Sequence, residues 1–566
     1  MSNTCQPVSQ ADRQTIAFAE LAAGTIVEVY FRARGAVAAE VAFDGPAGPA
    51  GTLSGAGADH FVRHRLTLSC PASRLSVDPA TTELSIAYAY SPETVMARGV
   101  TILHSGAAPT PAALAGYHFR PPFGWMNDPN GFGRFDGVFH LSYQHYPHSF
   151  RWHAMHWGHA VSADLVRWRH LPILLDPSEE TFELAKGHGG AFSGSAIAVA
   201  GEPGFRAFFT DHIDGREPEM EVQRSVRSRD GYSVDAARLV LAGRPAGLDL
   251  SLDNRDPYVF SGPDGKLHLL QGSRDSETGV VLHYVTDDPE GLSGWTFVDR
   301  LYRETEFTRT IAECPAMVPL DGPADDPETR WALVFGLLLS RDPATRRRHL
   351  TMAVVGRFDG RTLVPEFRQE LDFATDAYGF QAFADADGPV AIAWLANWAD
   401  VDKSVDLPTA MTLPRRLHLD GDRLLSPPVA AVETLRQTSL DAAAFTAGRP
   451  VAIDGSAEIE IDLVAAGACF SVEFAHPQLK LAVRSDARGL MVLFDDGGRP
   501  SPDYLVAGAR VETLRLFVDR GSIEVFADGG RLVGTKRLPG TEPVTAVQFV
   551  GQSDDIRSAR LWRLAL

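Results

Sequence analysis

Three acidic residues of the sequence occur in short contexts that could place a carboxyl group in a reaction centre. Asp128 lies within Trp-Met-Asn-Asp-Pro-Asn-Gly, Asp256 within Asn-Arg-Asp-Pro, and Glu313 within Ala-Glu-Cys-Pro. In the cleavage of a glycosidic bond, one carboxylate can attack the sugar as nucleophile while a second carboxylic acid protonates the departing oxygen. A third carboxylate can stabilise the oxocarbenium-like transition state by binding ring hydroxyls. Clustering also raises the pKa of each carboxyl group, which keeps an acid catalyst protonated near neutrality.

The turn-forming contexts alone do not establish this chemistry. Asp-Pro occurs seven times in the chain, and it favours turns because proline fixes φ. Even Arg-Asp-Pro occurs twice, at 255–257 and at 341–343. The copy at 341–343 lies in the polar segment 340–349, which we interpret as a surface hairpin. The copy at 255–257 precedes an apolar strand and lies between the other two acids in sequence, so we assign that copy to the site.

The elements that must bring these acids together are predicted to be β-strands. Between His118 and Leu417, a strand, an Asp-containing turn and another strand recur, with the turns at Asp164, Asp230, Asp287 and Asp359. Repetition at a similar period predicts a β-propeller of five blades, each a four-stranded sheet. The inner strands of a propeller converge on its axis, so acids from different blades can meet there.

Shorter alternating segments flank this region on both sides. Residues 16–104 alternate apolar and polar side chains between Gly- and Pro-rich turns, which predicts a small β-sandwich with a structural or interaction role. An Ala- and Pro-rich linker is predicted at 105–115, a short helix at 432–441, and a second sandwich over 443–566. The predicted class is all-β, with domains at 1–112, 113–425 and 426–566.

Composition restricts the partners and the location. With 53 basic and 72 acidic side chains the formal charge is −19, which argues against nucleic acid and anionic membranes as partners. A neutral small sugar fits this charge. No apolar run reaches the ~18 residues that a membrane span needs, and the N-terminus lacks a secretory pattern, so we expect a cytoplasmic protein. The four cysteines show neither zinc nor disulfide spacing.

Histidines crowd one stretch of the chain and raise the question of a metal site. The six are His140, His145, His148, His153, His156 and His159. The stretch is predicted as strand and loop, so the spacing of three residues between the last members does not put them on one helical face. We therefore predict no metal site.

The ordered motifs resemble glycoside hydrolase family 32, the β-fructofuranosidases, which include invertases, levanases and inulinases. The resemblance covers His118 to Leu417 and extends into the C-terminal region through 514–526. Further matching segments are Ala-Phe-Ser-Gly-Ser at 191–195, Leu-Asp-Phe-Ala-Thr-Asp-Ala-Tyr at 371–378 and Trp-Leu-Ala-Asn-Trp at 394–398. The combination of all three acidic motifs in this order is more specific than any one of them.

The resemblance implies a five-bladed propeller followed by a β-sandwich, retention of configuration at fructose C2, and no metal or cofactor. It implies that Asp128 is the nucleophile, Glu313 the general acid/base, and Asp256 the residue that binds fructose hydroxyls and stabilises the transition state. The residues implied to hydrogen-bond the ring or orient the acids are Asn127, Gln144, Ser193 and Arg255. The residues implied to wall the fructose subsite are Trp125, Trp152, Phe192, Tyr378 and Trp394.

Three features depart from the family pattern. Ala312 stands where the family usually has an aromatic residue before Glu-Cys, and Ala316 stands where it often has an acidic residue after Glu-Cys-Pro. Both changes are expected on the leaving-group side, so they bear on substrate preference more than on reaction type. The N-terminal sandwich is additional to the minimal family architecture.

The expected activity is therefore the release of terminal β-D-fructofuranosyl residues from sucrose or short fructo-oligosaccharides. Two alternatives within the same chemistry are fructosyl transfer to a sugar and cleavage of levan or inulin. A non-catalytic fructoside-binding protein is the alternative from another class. Besides a small carbohydrate, the predicted partner is a second copy of the chain, held through a β-sandwich domain.

Overall fold

The computed structural model describes residues 13–57, 59–109, 116–401, 409–498, 501–540 and 542–566. Cys5 and the domain boundary at 112–113 lie outside these ranges, as does most of the predicted linker. The helices are short: α1 (Val95–Arg98), α2 (Glu179–Ala185) and α3 (Ala442–Thr446), with 3₁₀ turns at Ala430–Leu435, Asp528–Gly530 and Ser553–Asp555. The remaining regular structure is β, which confirms the predicted class.

The N-terminal region forms two four-stranded antiparallel sheets. The strands are β1 (Gln14–Leu21), β2 (Ile26–Ala33), β3 (Ala39–Gly45), β4 (Gly48–Gly55), β5 (Val62–Thr67), β6 (Ala72–Val77), β7 (Thr82–Tyr90) and β8 (Thr101–Ser105). Their orders are β1-β6-β3-β4 and β5-β2-β7-β8. Val27, Val29 and Phe31 alternate along β2 and pack against Val41 and Phe43 of the other sheet, as period-two patterning requires.

The other face of β2 is buried as well, against the next part of the chain. Ile26 and Tyr30 belong to a cluster with Leu171 and Ile173, and Glu28 is 4% exposed. Alternation predicts that the more polar face of such a strand meets solvent. Here that face docks on the propeller, so the N-terminal sandwich is packed onto the central region.

The central region consists of five antiparallel sheets around one axis. The blades are β9 (Trp125–Phe135), β10 (Val138–Tyr146), β11 (His156–Ser162), β12 (Trp168–His170); β13 (Gly189–Ala198), β14 (Phe205–Ile213), β15 (Glu221–Ser228), β16 (Arg238–Leu241); β17 (Leu250–Ser261), β18 (Leu267–Asp275), β19 (Gly279–Thr286), β20 (Thr296–Arg303); β21 (Ile311–Pro319), β22 (Arg330–Arg341), β23 (Arg348–Phe358), β24 (Leu363–Glu370); and β25 (Tyr378–Phe383), β26 (Val390–Leu395), β27 (Ala410–Met411), β28 (Arg415–Arg416). The first strand of each blade contacts the first strand of the next, and β25 contacts β9. The ring is closed, and the predicted five-bladed propeller is confirmed.

The Asp-containing turns join the third strand of a blade to its fourth. Asp164, Asp230 and Asp359 each accept hydrogen bonds from two backbone N–H groups of the following residues. In the third blade the acceptor is Asp288, directly after the predicted Asp287. Such side-chain-to-backbone bonds stabilise tight turns. Each Asp of the sequence repeat therefore marks the turn between the third and fourth strands of a blade.

The C-terminal region is a sandwich of two six-stranded sheets. After the short hairpin of β29 (His418–Asp420) and β30 (Arg423–Leu425), its strands are β31 (Arg436–Ser439), β32 (Val451–Ala452), β33 (Ala457–Leu463), β34 (Phe470–Ala475), β35 (Lys480–Asp486), β36 (Gly489–Asp495), β37 (Tyr504–Ala507), β38 (Thr513–Asp519), β39 (Ser522–Ala527), β40 (Leu532–Arg537), β41 (Ala546–Val550) and β42 (Ile556–Leu564). The sheet orders are β31-β42-β33-β38-β39-β40 and β32-β41-β34-β35-β36-β37. The predicted helix at 432–441 is wrong in its second half, because β31 pairs with β42 there.

A buried network of charges joins the C-terminal sandwich to the propeller. His118, just before the first blade, places Nδ1 2.8 Å from Asp519 Oδ2 and Nε2 2.8 Å from Glu524 Oε1. Arg415 of the last blade donates to Glu524 Oε2 at 3.0 Å and to Asp372 Oδ2 at 3.2 Å. Each of these charged groups has an opposite charge beside it, as burial demands.

Candidate active site

Every inner strand of the propeller carries a β-bulge at the same end of the axis. One extra residue is inserted relative to the second strand at Asn127–Asp128, Phe192–Ser193, Asp256–Pro257, Cys314–Pro315 and Gly379–Phe380. A bulge bends its strand and redirects its side chains. The five bulges therefore turn neighbouring side chains of each inner strand toward the axis, and the chemically interesting residues lie on or beside them.

The three predicted acids are brought together at this end of the axis. Asp128, Asp256 and Glu313 line one cavity of about 270 Å³. Cys314 links the acids, because its backbone N–H donates to Asp256 Oδ2 at 2.7 Å and its Sγ lies 3.9 Å from Asp128 Oδ2. Carboxyl groups from the first, third and fourth blades thus face one another across a space of small-molecule size.

One carboxylate oxygen of Asp128 accepts a hydrogen bond from the described residues, and the other accepts none. Ser193 Oγ donates to Oδ2 at 3.2 Å, whereas none of the described residues donates a hydrogen bond to Oδ1. Desolvation and the nearby Glu313 charge raise the pKa of Asp128 to about 7, against the effect of hydrogen bonds from Asn127 and Ser193. Asn127 is itself oriented by Trp125, whose indole N–H donates to Asn127 Oδ1 at 2.7 Å.

Glu313 is oriented through both of its oxygens. Arg255 Nη1 donates to Oε1 at 2.9 Å, and the Tyr378 hydroxyl donates to Oε2 at 2.8 Å. Burial raises the pKa of Glu313, although Arg255 and Tyr378 both favour the carboxylate. The group is positioned firmly and still takes up a proton more readily than an ordinary glutamate.

Arg255 is shared among three carboxylates. Besides Glu313, its Nε donates to Glu221 Oε1 at 2.8 Å and its Nη2 donates to Asp253. Glu221 is in turn held by His212, with Nδ1 2.9 Å from Oε1. A planar guanidinium with five donors suits this arrangement, and it fixes the plane in which Arg255 presents itself to Glu313.

Asp256 sits at a strained backbone position. Its φ is 62°, in the left-handed region that non-glycine residues seldom adopt, and its N–H donates to Thr210 Oγ1 at 2.9 Å. Burial and the Glu313 charge raise the pKa of Asp256 to about 8, against the effect of Arg255. Two of the three acids therefore titrate well above an ordinary aspartate, and the trio retains protons at neutral pH.

The cavity wall combines aromatic, aliphatic and amide groups. Its remaining lining residues are Asn127, Gln144, Trp152, Phe192, Ser193, Arg255, Leu338, Trp398 and Val401. Phe192 stacks on His212 with ring centroids 4.2 Å apart, and Trp152 meets Phe192 edge-on at 6.1 Å. Rings beside carboxyl and amide groups suit a ligand with apolar C–H faces and hydroxyl edges.

Comparison with known proteins gives the family. Residues 118–428 match the model of the glycosyl hydrolases family 32 N-terminal domain, and residues 453–563 match that of the family 32 C terminal domain. The chain belongs to glycoside hydrolase family 32. The N-terminal sandwich lies before the first matched residue, so it is additional to the part that the family models describe.

Relatives and solved structures of this family align over most of the chain. A sucrose-6-phosphate hydrolase of Zymomonas mobilis is 30% identical, covering 74% of this chain and 85% of that protein. A raffinose invertase of Escherichia coli is 30% identical, covering 75% and 88%. A family 32 structure from Bifidobacterium adolescentis superimposes with a TM-score of 0.84 at 22% identity, covering 97% and 99%. A mutant of the Bombyx mori β-fructofuranosidase BmSUC1 in complex with sucrose gives 0.68 at 25% identity, covering 81% and 95%.

Three of the five aromatic residues expected to wall the subsite are not among the described residues that line the cavity. Trp125 is 1% exposed, and Tyr378 and Trp394 are 0% exposed, so all three lie behind the cavity lining. The sequence motifs do not distinguish a ring that lines the cavity from a ring packed behind it. Tyr378 still reaches Glu313 through its hydroxyl, and Trp125 still reaches Asn127, so both act as supports.

Several residues of the site were not predicted from the sequence. Trp398 ends the Trp-Leu-Ala-Asn-Trp segment and lines the cavity in place of Trp394. Glu221 and Thr210 hold the Arg-Asp pair from a neighbouring blade. The Trp398 signal was present in the motif, whereas a supporting contact made across blades leaves no local pattern.

Neither a metal centre nor a membrane helix was found in the part of the chain that the structure describes. No group of three or more His, Cys, Asp and Glu side chains in these ranges is arranged to hold a metal ion. In the same ranges, none of the helices combines the length and apolar character that crossing a bilayer requires.

Proposed function

We propose that this glycoside hydrolase is a retaining β-fructofuranosidase that releases terminal β-D-fructofuranosyl residues from sucrose or short fructo-oligosaccharides. The observation that supports this most is the meeting of Asp128, Asp256 and Glu313 in one cavity at the propeller axis. The names of the relatives include a raffinose invertase and sucrose-6-phosphate hydrolases, which supports a fructoside substrate of the sucrose type without deciding between the free and the phosphorylated sugar.

In the first half of the proposed reaction, the carboxylate of Asp128 attacks C2 of the fructosyl unit. Glu313 gives its proton to the glycosidic oxygen as the bond from C2 to that oxygen breaks, and the glucosyl part leaves as a neutral sugar. Asp256 binds fructose hydroxyls and stabilises positive charge on the ring. The raised pKa of Glu313 suits a group that must carry this proton near neutrality.

In the second half, water enters on the side the leaving group has vacated. Glu313, now a carboxylate, removes a proton from this water, which attacks C2 and releases Asp128. Two displacements at one carbon return the original β configuration. Tyr378 and Arg255 keep Glu313 in one position for both roles.

The charge of the cavity favours a neutral sugar over a phosphorylated one. Among the described lining residues, Arg255 is the only Lys or Arg, and it already binds Glu221, Asp253 and Glu313. A phosphate would meet three acids, and none of the described lining residues offers an uncommitted cation to receive it. We therefore expect sucrose to be a better substrate than sucrose 6-phosphate.

A substrate panel with variants tests this proposal. Wild type is assayed on sucrose, sucrose 6-phosphate, raffinose, inulin and levan, and products at high sucrose are analysed for kestose-type sugars. Asp128→Ala and Glu313→Ala should each lower kcat by several orders of magnitude, because the covalent route needs both groups. Asp256→Ala should also lower kcat strongly.

The second Arg-Asp-Pro segment offers a matched control. Asp342 lies in the hairpin between β22 and β23, where it bonds Thr345 and Arg347. Asp342→Ala should keep wild-type turnover. Wild-type rates in Asp128→Ala or Glu313→Ala would refute the assignment, and kestose-type products in excess of free fructose would identify a transferase. Sucrose binding without turnover by wild type would identify a binding protein.

The cytoplasmic location and the homo-oligomer formed through a β-sandwich domain stay predictions. Cell fractionation tests the first, and light scattering on the purified chain tests the second.

A further inference from the structure

The N-terminal sandwich docks on the propeller beside the connection that carries Trp152. This connection, residues 147–155, joins β10 to β11 in the first blade. Trp152 lies within it and lines the active cavity. The sandwich itself contributes no residue to the described cavity lining, so any influence on the site must pass through this connection or its neighbours.

His148 is the residue of the connection that the sandwich holds. Its Nδ1 lies 2.7 Å from the Ser85 hydroxyl, its ring lies 4.5 Å from the Phe61 ring, and the Tyr30 ring lies 5.5 Å away. The three partners belong to the β5-β2-β7-β8 sheet: Tyr30 lies in β2, Ser85 lies in β7, and Phe61 directly precedes β5. A side chain held by a hydrogen bond and two rings has little rotational freedom left.

Packed rings connect His148 to His153, the residue next to Trp152. His148 meets Tyr146 edge-on at 5.2 Å, and Tyr146 lies 5.1 Å from His153, the residue after Trp152. The propeller fixes the connection at two other points: Trp125 N–H donates to Ser149 O at 2.9 Å, and Met155 N–H donates to Gly189 O at 2.8 Å. Trp152 lies between these two backbone bonds.

The same edge of the sandwich also contacts α2, the helix before the strand that carries Phe192, and Phe192 is the ring that Trp152 meets. His60 stacks on Phe182 of α2, with ring centroids 3.7 Å apart and planes 2° from parallel, and its Nε2 lies 3.4 Å from Glu179. The helix α2 leads into β13, which carries Phe192, the ring that Trp152 meets. Adjacent residues of the sandwich, His60 and Phe61, thus touch the supports of both rings.

We propose that the N-terminal sandwich is a positioning element of the sugar site, which holds His148 between Tyr30, Phe61 and Ser85 and thereby fixes the Trp152 ring against the bound sugar. The inference rests on the proposed function, because it assumes that Trp152 contacts the substrate. It assigns His148 a positioning role, since His148 does not itself line the cavity.

A double-mutant cycle tests this inference on the full-length protein. His148→Ala should raise KM for sucrose about tenfold and change kcat little, because the ring wall is loosened while the acids stay in place. Ser85→Ala, a milder change, should raise KM in the same direction. In a Trp152→Ala background, His148→Ala should have almost no further effect on KM, since the residue it positions is gone.

A matched control removes a different contact of the same domain interface. Tyr88 donates to Glu28 and accepts from Ile173 N–H at 3.2 Å, away from the 147–155 connection. Tyr88→Phe should lower the melting temperature but leave KM for sucrose at the wild-type value. Hydrogen–deuterium exchange should show faster exchange in 147–155 for His148→Ala and unchanged exchange there for Tyr88→Phe.

The outcomes separate this inference from the proposed function. If wild type fails to cleave sucrose, the proposed function is refuted, and unchanged exchange in 147–155 of His148→Ala would still refute the positioning role. If wild type cleaves sucrose while His148→Ala keeps its KM, or raises KM equally with and without Trp152, the inference is overturned and the proposed function stands. If His148→Ala does not fold, Ser85→Ala and its cycle with Trp152→Ala decide the question by the same criteria.

Discussion

The active site contains more acidic than basic side chains, and the guanidinium of Arg255 pairs with several of its carboxylates. Arg255 bonds Glu221, Asp253 and Glu313, and Asp128 and Asp256 stand nearby with raised pKa values. A carboxyl group that is desolvated beside other carboxyl groups keeps its proton to higher pH. The site is therefore arranged for proton transfer at some cost in stability.

The pH dependence of stability tests this description of Asp128. Its pKa of about 7 in the folded protein lies above the ~3.9 of an unfolded aspartate. Such a group contributes its full stability below the unfolded pKa and loses that contribution as pH rises through about 7. Asp128→Asn should therefore raise the free energy of unfolding at pH 8 by roughly 1–3 kcal/mol, with the gain shrinking toward pH 4.

Thermal unfolding of wild type and Asp128→Asn at pH 8, 6 and 4 measures this gain. Asp342→Asn is the control, because the pKa of Asp342 is lowered by bonds from Thr345 and the backbone despite partial burial, so this change should not stabilise the protein at pH 8. A stability difference for Asp128→Asn that is the same at all three pH values would show that the Asp128 pKa is ordinary.

The three acids could be predicted from the sequence because each has a recognisable neighbourhood of proline, glycine or aromatic residues. The layer that supports them could not. Glu221 starts an ordinary strand, and its importance depends on the packing of one blade against the next. Trp125 and Trp394 lie behind the cavity lining, and a ring that faces a cavity has the same sequence signal as a ring behind it.

At the scale of elements, the bulges of the inner strands determine where the chemistry occurs. Five bulges at one end of the axis place Asp128 and Asp256 in the cavity and Cys314 against both of them. Two of the bulges use positive φ at non-glycine residues, Asp256 and Cys314. The blade repeat could be predicted because its Asp turns are local. The bulges could not, because a bulge is defined by register with a partner strand.

Gly379 gives a direct test of the bulge in the fifth blade. Its φ is 62°, and a Cβ there would lie 2.7 Å from Asp128 Oδ1. Gly379→Ala should displace the nucleophile and lower kcat by about 100-fold, the effect expected of a misplacement of about 1 Å. Steady-state kinetics with sucrose measure the loss.

Gly421 is a matched control for the backbone strain. Its φ is 61°, and a Cβ there would meet nothing within 4 Å. Gly421→Ala should destabilise the fold to a similar degree, roughly 1 kcal/mol, and keep full activity. Equal kinetic losses in both variants would show that strain, and not contact with Asp128, is responsible.

At the scale of the whole molecule, the propeller is supported by a sandwich on each side. The N-terminal sandwich buries the polar face of β2, and the C-terminal sandwich is joined through His118 and Arg415. The three regions could be predicted from composition and alternation. Their docking could not, because Glu28 and Tyr30 look like solvent-facing residues until the partner surface is known.

The charge of His118 should make the C-terminal interface sensitive to pH. Burial opposes the charged imidazole, but the bonds to Asp519 and Glu524 outweigh it and raise the pKa to about 9. With an unfolded pKa of ~6.5, this stabilisation is complete below about 6.5 and is lost as pH rises through 9. His118→Gln should cost roughly 3–5 kcal/mol at pH 6 and clearly less at pH 9.5.

Thermal unfolding at the two pH values measures the His118 contribution. His418→Gln is the control, since His418 is exposed in the short β29–β30 hairpin and its loss should leave the melting temperature unchanged. A cost for His118→Gln that is equal at both pH values would indicate a neutral imidazole in the folded protein.

The covalent intermediate on Asp128 is the most direct test of the whole account. In Glu313→Ala, a donor with a leaving group that needs no proton, β-D-fructofuranosyl fluoride, should form the fructosyl-enzyme, which then accumulates because no base activates water. Mass spectrometry of acid-quenched, protease-digested protein should find one fructosyl unit on Asp128. A fructosyl unit on another residue, or fluoride release with no adduct and inverted configuration in the transfer product to methanol, would contradict it.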